Sequence, residues 1–175
     1  DRYLPEQAVV PCMEMIKSYG VHLRIVDERV TRHGDYRTLP DGSHQITVNA
    51  MTNRYRFLIT LVHEIAHQQV WVIYRNRVKA HGKEWKDTYQ QLMNVFISTG
   101  IFPDNVDQAL KNYMNKSYAS SGTDLNLSRV LQQYDKDPGL TLEEIKEGST
   151  FKIPGGKTFV KGRLNRKRYR CIRTD

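Results

Sequence analysis

Apolar and polar positions follow two different periods along this chain, and together they predict a mixed α+β protein. An amphipathic pattern predicts a first helix at residues 5–18. Alternating patterns then predict three short strands, at residues 22–26, 36–37 and 45–49. The Pro40-Asp41-Gly42 turn is expected to join the last two of them. We expect these strands to form a small antiparallel sheet.

Two long helical patterns follow the predicted strands. The first, at residues 53–74, is apolar on nearly every side, which is typical of a buried helix. The second, at residues 83–98, has a single apolar stripe. This stripe consists of Trp85, Tyr89, Leu92, Met93 and Phe96. Further helices are predicted at residues 104–114 and 127–134, with a Ser- and Gly-rich stretch between them.

The centre of the buried helix contains three polar residues within the motif His63-Glu64-Ile65-Ala66-His67. His63 and His67 are four residues apart, so both imidazoles lie on one helix face and can bind one metal ion. Glu64 lies about a quarter-turn away, where it can contact a water without binding the metal itself. A core helix with hydrogen-bonded histidines is the alternative, but it leaves Glu64 without a partner. Since buried polar groups need compensation, the motif favours a zinc hydrolase site.

A hydrolytic zinc site has three protein ligands and one open position. His81 is the first candidate for the third ligand, because the turn at Gly82 would return the chain towards the first two histidines. Glu84 is the competing candidate, since some enzymes with this motif use a glutamate. Imidazole is the commoner metal ligand, which favours His81. The spacing excludes the metzincin signature, whose third histidine follows the second by six residues.

The stretch from residue 61 to residue 86 resembles the SprT family of zinc metalloproteases, whose catalytic domain the eukaryotic Spartan proteases share. The resemblance rests on HEIAH, Trp71 and HGKEWK, and upstream on Tyr3-Leu4-Pro5, Gly34-Asp35-Tyr36-Arg37 and Ile46-Thr47-Val48-Asn49. It covers roughly the first two-thirds of the chain. It implies a zincin-like domain in which His63, His67 and His81 bind one Zn²⁺ ion and Glu64 is the general base. It also implies substrates among proteins that are associated with DNA or crosslinked to it.

The predicted function is therefore zinc-dependent cleavage of peptide bonds, with Glu64 removing the proton from a metal-activated water. Tyr36, Tyr74 and His44 are candidates for a donor to the oxyanion. The alternative from another class is a nucleic-acid-associated adaptor protein with a purely structural zinc site. A structural site would have no use for Glu64 beside an open coordination position. Hydrolysis of a non-peptide amide is a third possibility that the motif leaves open.

The positive charge of the chain is concentrated at one end. Residues 1–150 contain 18 Lys and Arg against 18 Asp and Glu, whereas residues 151–175 contain nine against Asp175 alone. This segment also has the pattern of a β-hairpin, with turns at Pro154-Gly155-Gly156 and Gly162. A basic hairpin with aromatic residues favours contact with DNA, and a hairpin that is merely solvated is the alternative. The candidate nucleic-acid-binding residues are Lys161, Arg163, Arg166, Lys167, Arg168 and Arg170.

These patterns divide the chain into a metalloprotease domain at residues 1–116, a linker with a short helix at residues 117–138, and a small basic β module at residues 139–175. The chain stops just past its last predicted strand, which favours an incomplete module. Cys12 and Cys171 are too few for the cysteine-bound zinc ribbon found in many SprT proteins. Two isolated cysteines are typical of a reducing cytoplasm. The sequence has no apolar run long enough for a transmembrane helix, so no membrane association is expected.

Overall fold

The computed structural model describes residues 2–27, 29, 32–51, 53–115, 124–166 and 168–175 of the 175-residue chain. It divides into two compact units, Asp1–Lys136 and Asp137–Asp175. Both helices and strands occur in the first unit, and the described part of the second unit contains strands only. The mixed α and β composition that the sequence predicts is therefore confirmed.

The first unit begins with helix α1 and continues through a small sheet into four further helices. In chain order, the elements are α1 (Glu6–Ser18), β1 (Val21–Val26), β2 (Gly34–Thr38), β3 (His44–Asn49), α2 (Arg54–Tyr74), α3 (Lys83–Ile97), α4 (Asp104–Asn115) and α5 (Leu125–Gln132). A single 3₁₀ turn, Arg75–Arg77, follows α2. The predicted helices and strands of this unit are confirmed, with ends that differ by a few residues.

The sheet of the first unit has the strand order β1-β3-β2. Strand β2 pairs with β3 in the antiparallel sense through the predicted turn, in which the Gly42 amide donates to the Leu39 carbonyl over 2.9 Å. Strand β1 pairs with β3 in the parallel sense. The expectation of an antiparallel sheet is therefore wrong for one of its two pairings. Five of the six β3 residues are buried, because this strand takes the central position between β1 and β2.

Helix α2 forms the centre of the core, as its apolar sequence predicts. Asn53 caps the helix by accepting a hydrogen bond from the Arg56 amide. Most of the α2 side chains from Phe57 to Val70 are buried, and they pack with both the sheet and α3. The predicted α3 stripe is also buried and is directed towards this core. Packing on several sides is what holds the polar residues of α2 in place.

Helix α5 belongs to the first unit. Its Leu127 and Leu131 are buried in the same core cluster, and the Asn53 side chain donates to the Leu131 carbonyl over 2.6 Å. The predicted linker, residues 117–138, lies partly outside the described residues, at 117–123. The described remainder up to Lys136 falls within the first unit. The domain limits stated above stay a prediction.

The second unit is built on a three-stranded antiparallel sheet of β4 (Thr150–Lys152), β5 (Thr158–Asn165) and β6 (Arg168–Arg173). The predicted hairpin corresponds to β5 and β6. Strand β4 was not predicted, because three residues are too few to show an alternating pattern.

The predicted turn at Gly162 is wrong, because β5 continues through this residue. The pairing of β5 with β6 changes register between Lys161 and Leu164, as at a β-bulge. A β-carbon at Gly162 would lie 2.6 Å from the Arg170 carbonyl oxygen, so the close approach of the two strands requires glycine. Within the described residues, no helix combines the length and the apolar character needed to cross a membrane.

Candidate active site

Three imidazoles converge on one point at the centre of the first unit. The Nε2 atom of His67 lies 3.2 Å from that of His63 and 3.0 Å from that of His81, and the remaining pair is 3.3 Å apart. Among the described residues these three side chains form the group that could hold a metal ion, and Glu84 is not part of it. The geometry therefore supports His81 rather than Glu84 as the third member of the cluster.

The local sequence explains how His81 reaches the α2 histidines. Helix α2 ends after Tyr74, and the chain reverses through the 3₁₀ turn. The Gly82 amide donates to the Lys79 carbonyl over 2.9 Å, and the Gly82 carbonyl accepts from the Lys86 amide at the start of α3. His81 is thus held between a tight turn and a helix start, beside the α2 face that carries His63 and His67.

The spacing of the three nitrogen atoms fits a tetrahedral zinc ion. With zinc–nitrogen distances of 2.0–2.1 Å, tetrahedral geometry places the ligand nitrogens about 3.3 Å apart, close to the distances given above. Burial lowers the pKa of His63 to about 3 and that of His67 to about 4, with neighbouring histidines adding to both effects. Burial also lowers the pKa of His81, and here the positive charge of Lys86 adds to the effect. All three imidazoles are therefore neutral at neutral pH, which leaves their lone pairs available to a cation.

The Trp85 ring contacts the rings of all three histidines. Its ring centroid lies 4.6 Å from that of His63, 5.4 Å from that of His67 and 4.8 Å from that of His81. Only 1% of Trp85 is exposed, and its ring stacks on Tyr89 with centroids 5.0 Å apart. The sequence identifies both residues only as part of an apolar stripe. The structure shows that this stripe fixes the orientation of the histidine rings.

Glu64 lies beside the histidines in a nearly closed environment, with 7% of its surface exposed. Burial raises the pKa of its carboxyl group to about 8, and nearby Asp35 adds to this effect. The Arg29 charge and a hydrogen bond from the Tyr36 backbone amide act in the opposite direction. A divalent cation on the neighbouring imidazoles would favour the ionised carboxylate. Glu64 thus has an environment suited to a group that accepts and returns a proton.

Strand β2 contacts Glu64 through a glycine. A β-carbon at Gly34 would lie 2.8 Å from Thr60 Cγ2 and 2.9 Å from both Cγ and Oε1 of Glu64. The strand can therefore lie directly on α2 only because Gly34 has no side chain.

We expect Gly34→Ala to displace Glu64 and to lower hydrolytic activity at least tenfold, with a loss of about 1–3 kcal/mol in unfolding free energy from overpacking. Thermal unfolding and peptide cleavage would measure the two effects separately. Combining Gly34→Ala with Thr60→Ser removes the Cγ2 clash but leaves the contact with Glu64, so stability should recover in part while activity stays low. Full activity in the single variant would show that Glu64 does not depend on this contact.

A second polar network holds the chain segment that follows β1 against the site. The Asn49 side chain donates to the carbonyls of Arg29 and Arg32 over 3.1 and 2.9 Å, and it accepts from Arg29 Nε over 2.9 Å. Arg29 also forms an ion pair with Asp35, and Arg32 lies 3.8 Å from the same carboxylate. The Asp35 carboxylate, which lies close to Glu64, is therefore paired with two arginines.

The histidines and Glu64 line a cleft of about 490 Å³. Its walls come from β2, from the second half of α2 and from the segment that leads to His81. They include Gly34, Asp35, Tyr36, Trp71, Arg75, Asn76, Val78 and Ala80. Of the three candidate oxyanion donors, Tyr36 lines the cleft, and its hydroxyl group is 2.8 Å from His44 Nδ1. Neither His44 nor Tyr74 is among the lining residues. The cleft is therefore open to a chain that contacts the three histidines and Glu64 together.

A model of the SprT-like family matches residues 15–112, which is more than half of the chain. This protein belongs to the SprT-like family. The match includes the sheet and the helices α2 and α3, and therefore the complete candidate site, as the resemblance of the motifs indicated. No curated protein and no solved structure matches the chain. The SprT-like match ends before α5 and before the second unit.

The candidate nucleic-acid residues lie in the second unit, and they differ in accessibility. Arg163, Arg166, Arg168 and Arg170 are exposed. Lys167 lies outside the described residues. Lys161 is only 5% exposed, its ammonium group donates to the Ile145 and Glu143 carbonyls, and it lies 4.2 Å from the centre of the Tyr169 ring. We therefore remove Lys161 from the candidate phosphate contacts, because its charge is used inside the unit.

Proposed function

We propose that this SprT-like protein is a zinc-dependent endopeptidase with a zincin-like first unit, in which His63, His67 and His81 bind one Zn²⁺ ion. The observation that carries the proposal is the convergence of three Nε2 atoms beside a buried glutamate that is not itself a ligand. A bound zinc ion would polarise a substrate carbonyl and make a water molecule nucleophilic at neutral pH. Glu64 takes the proton from that water and returns it to the leaving amine.

An extended peptide is the substrate that best matches the walls of the cleft. Strand β2 pairs with β3 along one edge, and no other described strand pairs with it. The His33 carbonyl accepts from the Asn49 amide, whereas the Tyr36 amide donates to Glu64. In a strand at the edge of a sheet, backbone groups point alternately towards the paired strand and away from it. The edge of β2 that does not pair with β3 therefore points towards Glu64 and the site. This edge supports binding of a substrate backbone by strand addition next to Glu64.

A purely structural zinc site is less consistent with these observations. Structural sites use four protein ligands, whereas the described residues offer three at this point. The same three histidines line a cleft together with Glu64, so a metal ion that they held would be accessible from this cleft. An open position beside a potential base is characteristic of hydrolytic sites, so the adaptor alternative loses its main support.

The activity can be tested with a disordered, DNA-binding test protein as substrate. The zinc-loaded protein is incubated with it in the presence and in the absence of single-stranded DNA, and new peptide termini are identified by mass spectrometry. Internal cleavage under either condition supports an endopeptidase, and cleavage only with DNA supports substrates that are associated with DNA. Removal of single terminal residues alone would contradict an endopeptidase.

We also propose that the second unit binds nucleic acid. Arg168 and Arg170 alternate with Tyr169 on β6, so both side chains emerge from the same face of the sheet. Arg166, at the end of the β5–β6 hairpin, has a φ of 57°, a conformation that favours glycine or asparagine. The backbone conformation of Arg166 is thus costly for an arginine, and this cost supports a functional role for its positive charge.

We expect Arg168→Gln together with Arg170→Gln to weaken binding of single-stranded DNA and to reduce the slope of log affinity against log salt by about 1.4, as for two lost phosphate contacts. Arg24→Gln is the matched control, because Arg24 is an exposed arginine on β1 of the first unit. Fluorescence anisotropy over a salt series would provide the slopes. An unchanged slope in the double variant, or an equal change in the control, would argue against this surface.

A further inference from the structure

We infer that Arg75, lying on Trp71, forms a subsite that binds an acidic side chain of the peptide substrate. This inference rests on the proposed peptidase function and extends it to the choice of substrate. Both residues line the cleft that contains the three histidines. The guanidinium carbon of Arg75 lies 5.9 Å from the centre of the Trp71 ring, within the range of a cation–π contact.

The position of Arg75 follows from the helical repeat of α2. His63, His67 and Trp71 are spaced by four residues and therefore lie along one helix face, and Arg75 follows at the end of this line. At 1.5 Å per residue, Trp71 lies about 6 Å and Arg75 about 12 Å beyond His67 along the helix axis. The Arg75 guanidinium group reaches back over Trp71 and so lies between these two distances. An extended peptide advances about 3.3 Å per residue, which places this group roughly two or three residues from the scissile bond.

The backbone of Arg75 has a conformation that is unfavourable for arginine. Its φ is 54° and its ψ is −133°, and its amide donates to the Trp71 carbonyl to close the helix. Glycine adopts this region readily, whereas a residue with a β-carbon is strained there. Closing the helix therefore does not explain an arginine at this position, where the side chain lines the cleft.

The charge of Arg75 has no counter-ion in the described part of the chain, where its side chain forms no ion pair and no hydrogen bond. The other charged groups that line the cleft are Asp35 and Glu64. Asp35 is paired with Arg29 and Arg32, and Glu64 is assigned to the reaction. Arg75 is exposed, so its charge is solvated in the free protein and is available to pair with a carboxylate of the substrate.

The field of Arg75 extends across the cleft to the opposite wall. Burial raises the pKa of Tyr36 on β2, and both the Thr38 hydroxyl group and the Arg75 charge oppose this rise. A peptide bound in the cleft, which residues of both β2 and α2 line, would thus lie within the field of this cation. Arginine binds carboxylates in a bidentate geometry, so the side chain of Glu or Asp in a peptide substrate can pair with it.

The test compares peptides that are identical except for one Glu or Gln, moved through the positions on both sides of a fixed cleavage site. Their affinities are measured on the zinc-loaded Glu64→Gln protein, so that the result does not depend on hydrolysis. We expect a preference of about fivefold for Glu at one position two or three residues from the scissile bond, the size typical of an accessible ion pair. Adding Arg75→Gln should abolish this preference.

Arg77→Gln is the matched control, because Arg77 is exposed in the same 3₁₀ turn but does not line the cleft. The preference should persist in this control. Absence of a preference at every position, or its persistence after Arg75→Gln, would overturn the subsite. The subsite would also be overturned if Arg75→Gln lowered the affinity for single-stranded DNA but not the affinity for the Glu peptide. Cleavage of an unfolded protein by the wild type tests the proposed function separately, so the two failures are distinguishable.

Discussion

Replacing Glu64 by glutamine is expected to reduce peptide hydrolysis by about 10²- to 10⁴-fold, the range that a positioned general base contributes. Glutamine has nearly the same shape, so it can still accept the hydrogen bond from the Tyr36 backbone amide. It cannot take a proton from water. The fold and the zinc content should therefore remain unchanged, since the group that could hold the metal consists of the three histidines and does not include Glu64.

Cleavage rates of an unfolded protein, zinc content and thermal unfolding need to be measured on the same preparation of Glu64→Gln. Gln69→Glu is a useful companion, because it alters a glutamine of α2 that does not line the cleft. That variant should retain its activity. If Glu64→Gln hydrolyses the substrate at the wild-type rate with full zinc content, Glu64 has no part in proton transfer.

Replacing His81 by alanine is expected to have the largest effect on metal binding that a change outside α2 can produce. His81 Nε2 lies 3.0 and 3.3 Å from those of His67 and His63, so its loss leaves two ligands on one helix face. Removing a residue that only hydrogen-bonds a metal ligand typically lowers metal affinity roughly 10- to 100-fold. Because His81 would be a ligand itself, its removal should lower zinc affinity by more than this. Competition with a chelator of known affinity would measure the change.

Glu84→Gln provides the contrast for this experiment. Glu84 was the competing candidate for the third ligand, but its carboxylate is not part of the metal-binding group. Its replacement should leave zinc affinity unchanged. Wild-type affinity in His81→Ala combined with a loss in Glu84→Gln would reverse the assignment of the two residues.

The sequence predicts the three histidines that the structure brings together, because their spacing reflects a local rule. A four-residue interval puts His63 and His67 on one helix face in any protein, and the turn at Gly82 limits where His81 can lie. The structure brings these three side chains together. The same local patterns predicted the helices of the first unit and the β2–β3 turn.

Features that depend on contacts between distant segments could not be predicted in this way. Alternation indicates that β1 is a strand, but it does not state the direction in which β1 pairs, and this pairing is parallel. The helical stripe indicates that Trp85 is buried, but not that it lies under three histidines. The requirement for glycine at residue 34 arises only because β2 lies on α2.

Charge counting also has a limit that Lys161 illustrates. The sequence places it among the cations of the basic segment, and a count treats all of these as exposed. In the second unit, however, its aliphatic part is buried and its ammonium group is bound by backbone carbonyls. A buried lysine with such partners stabilises the fold and is not accessible to phosphate.

Zinc-dependent hydrolysis at the three histidines is tested most directly by a zinc titration. The protein is freed of metal, zinc is returned in steps, and cleavage of an unfolded protein is followed with and without single-stranded DNA. We expect no cleavage without metal and a linear rise that ends at one zinc per chain. Equal cleavage by the metal-free protein, or no cleavage by the fully loaded protein under either condition, would contradict the account.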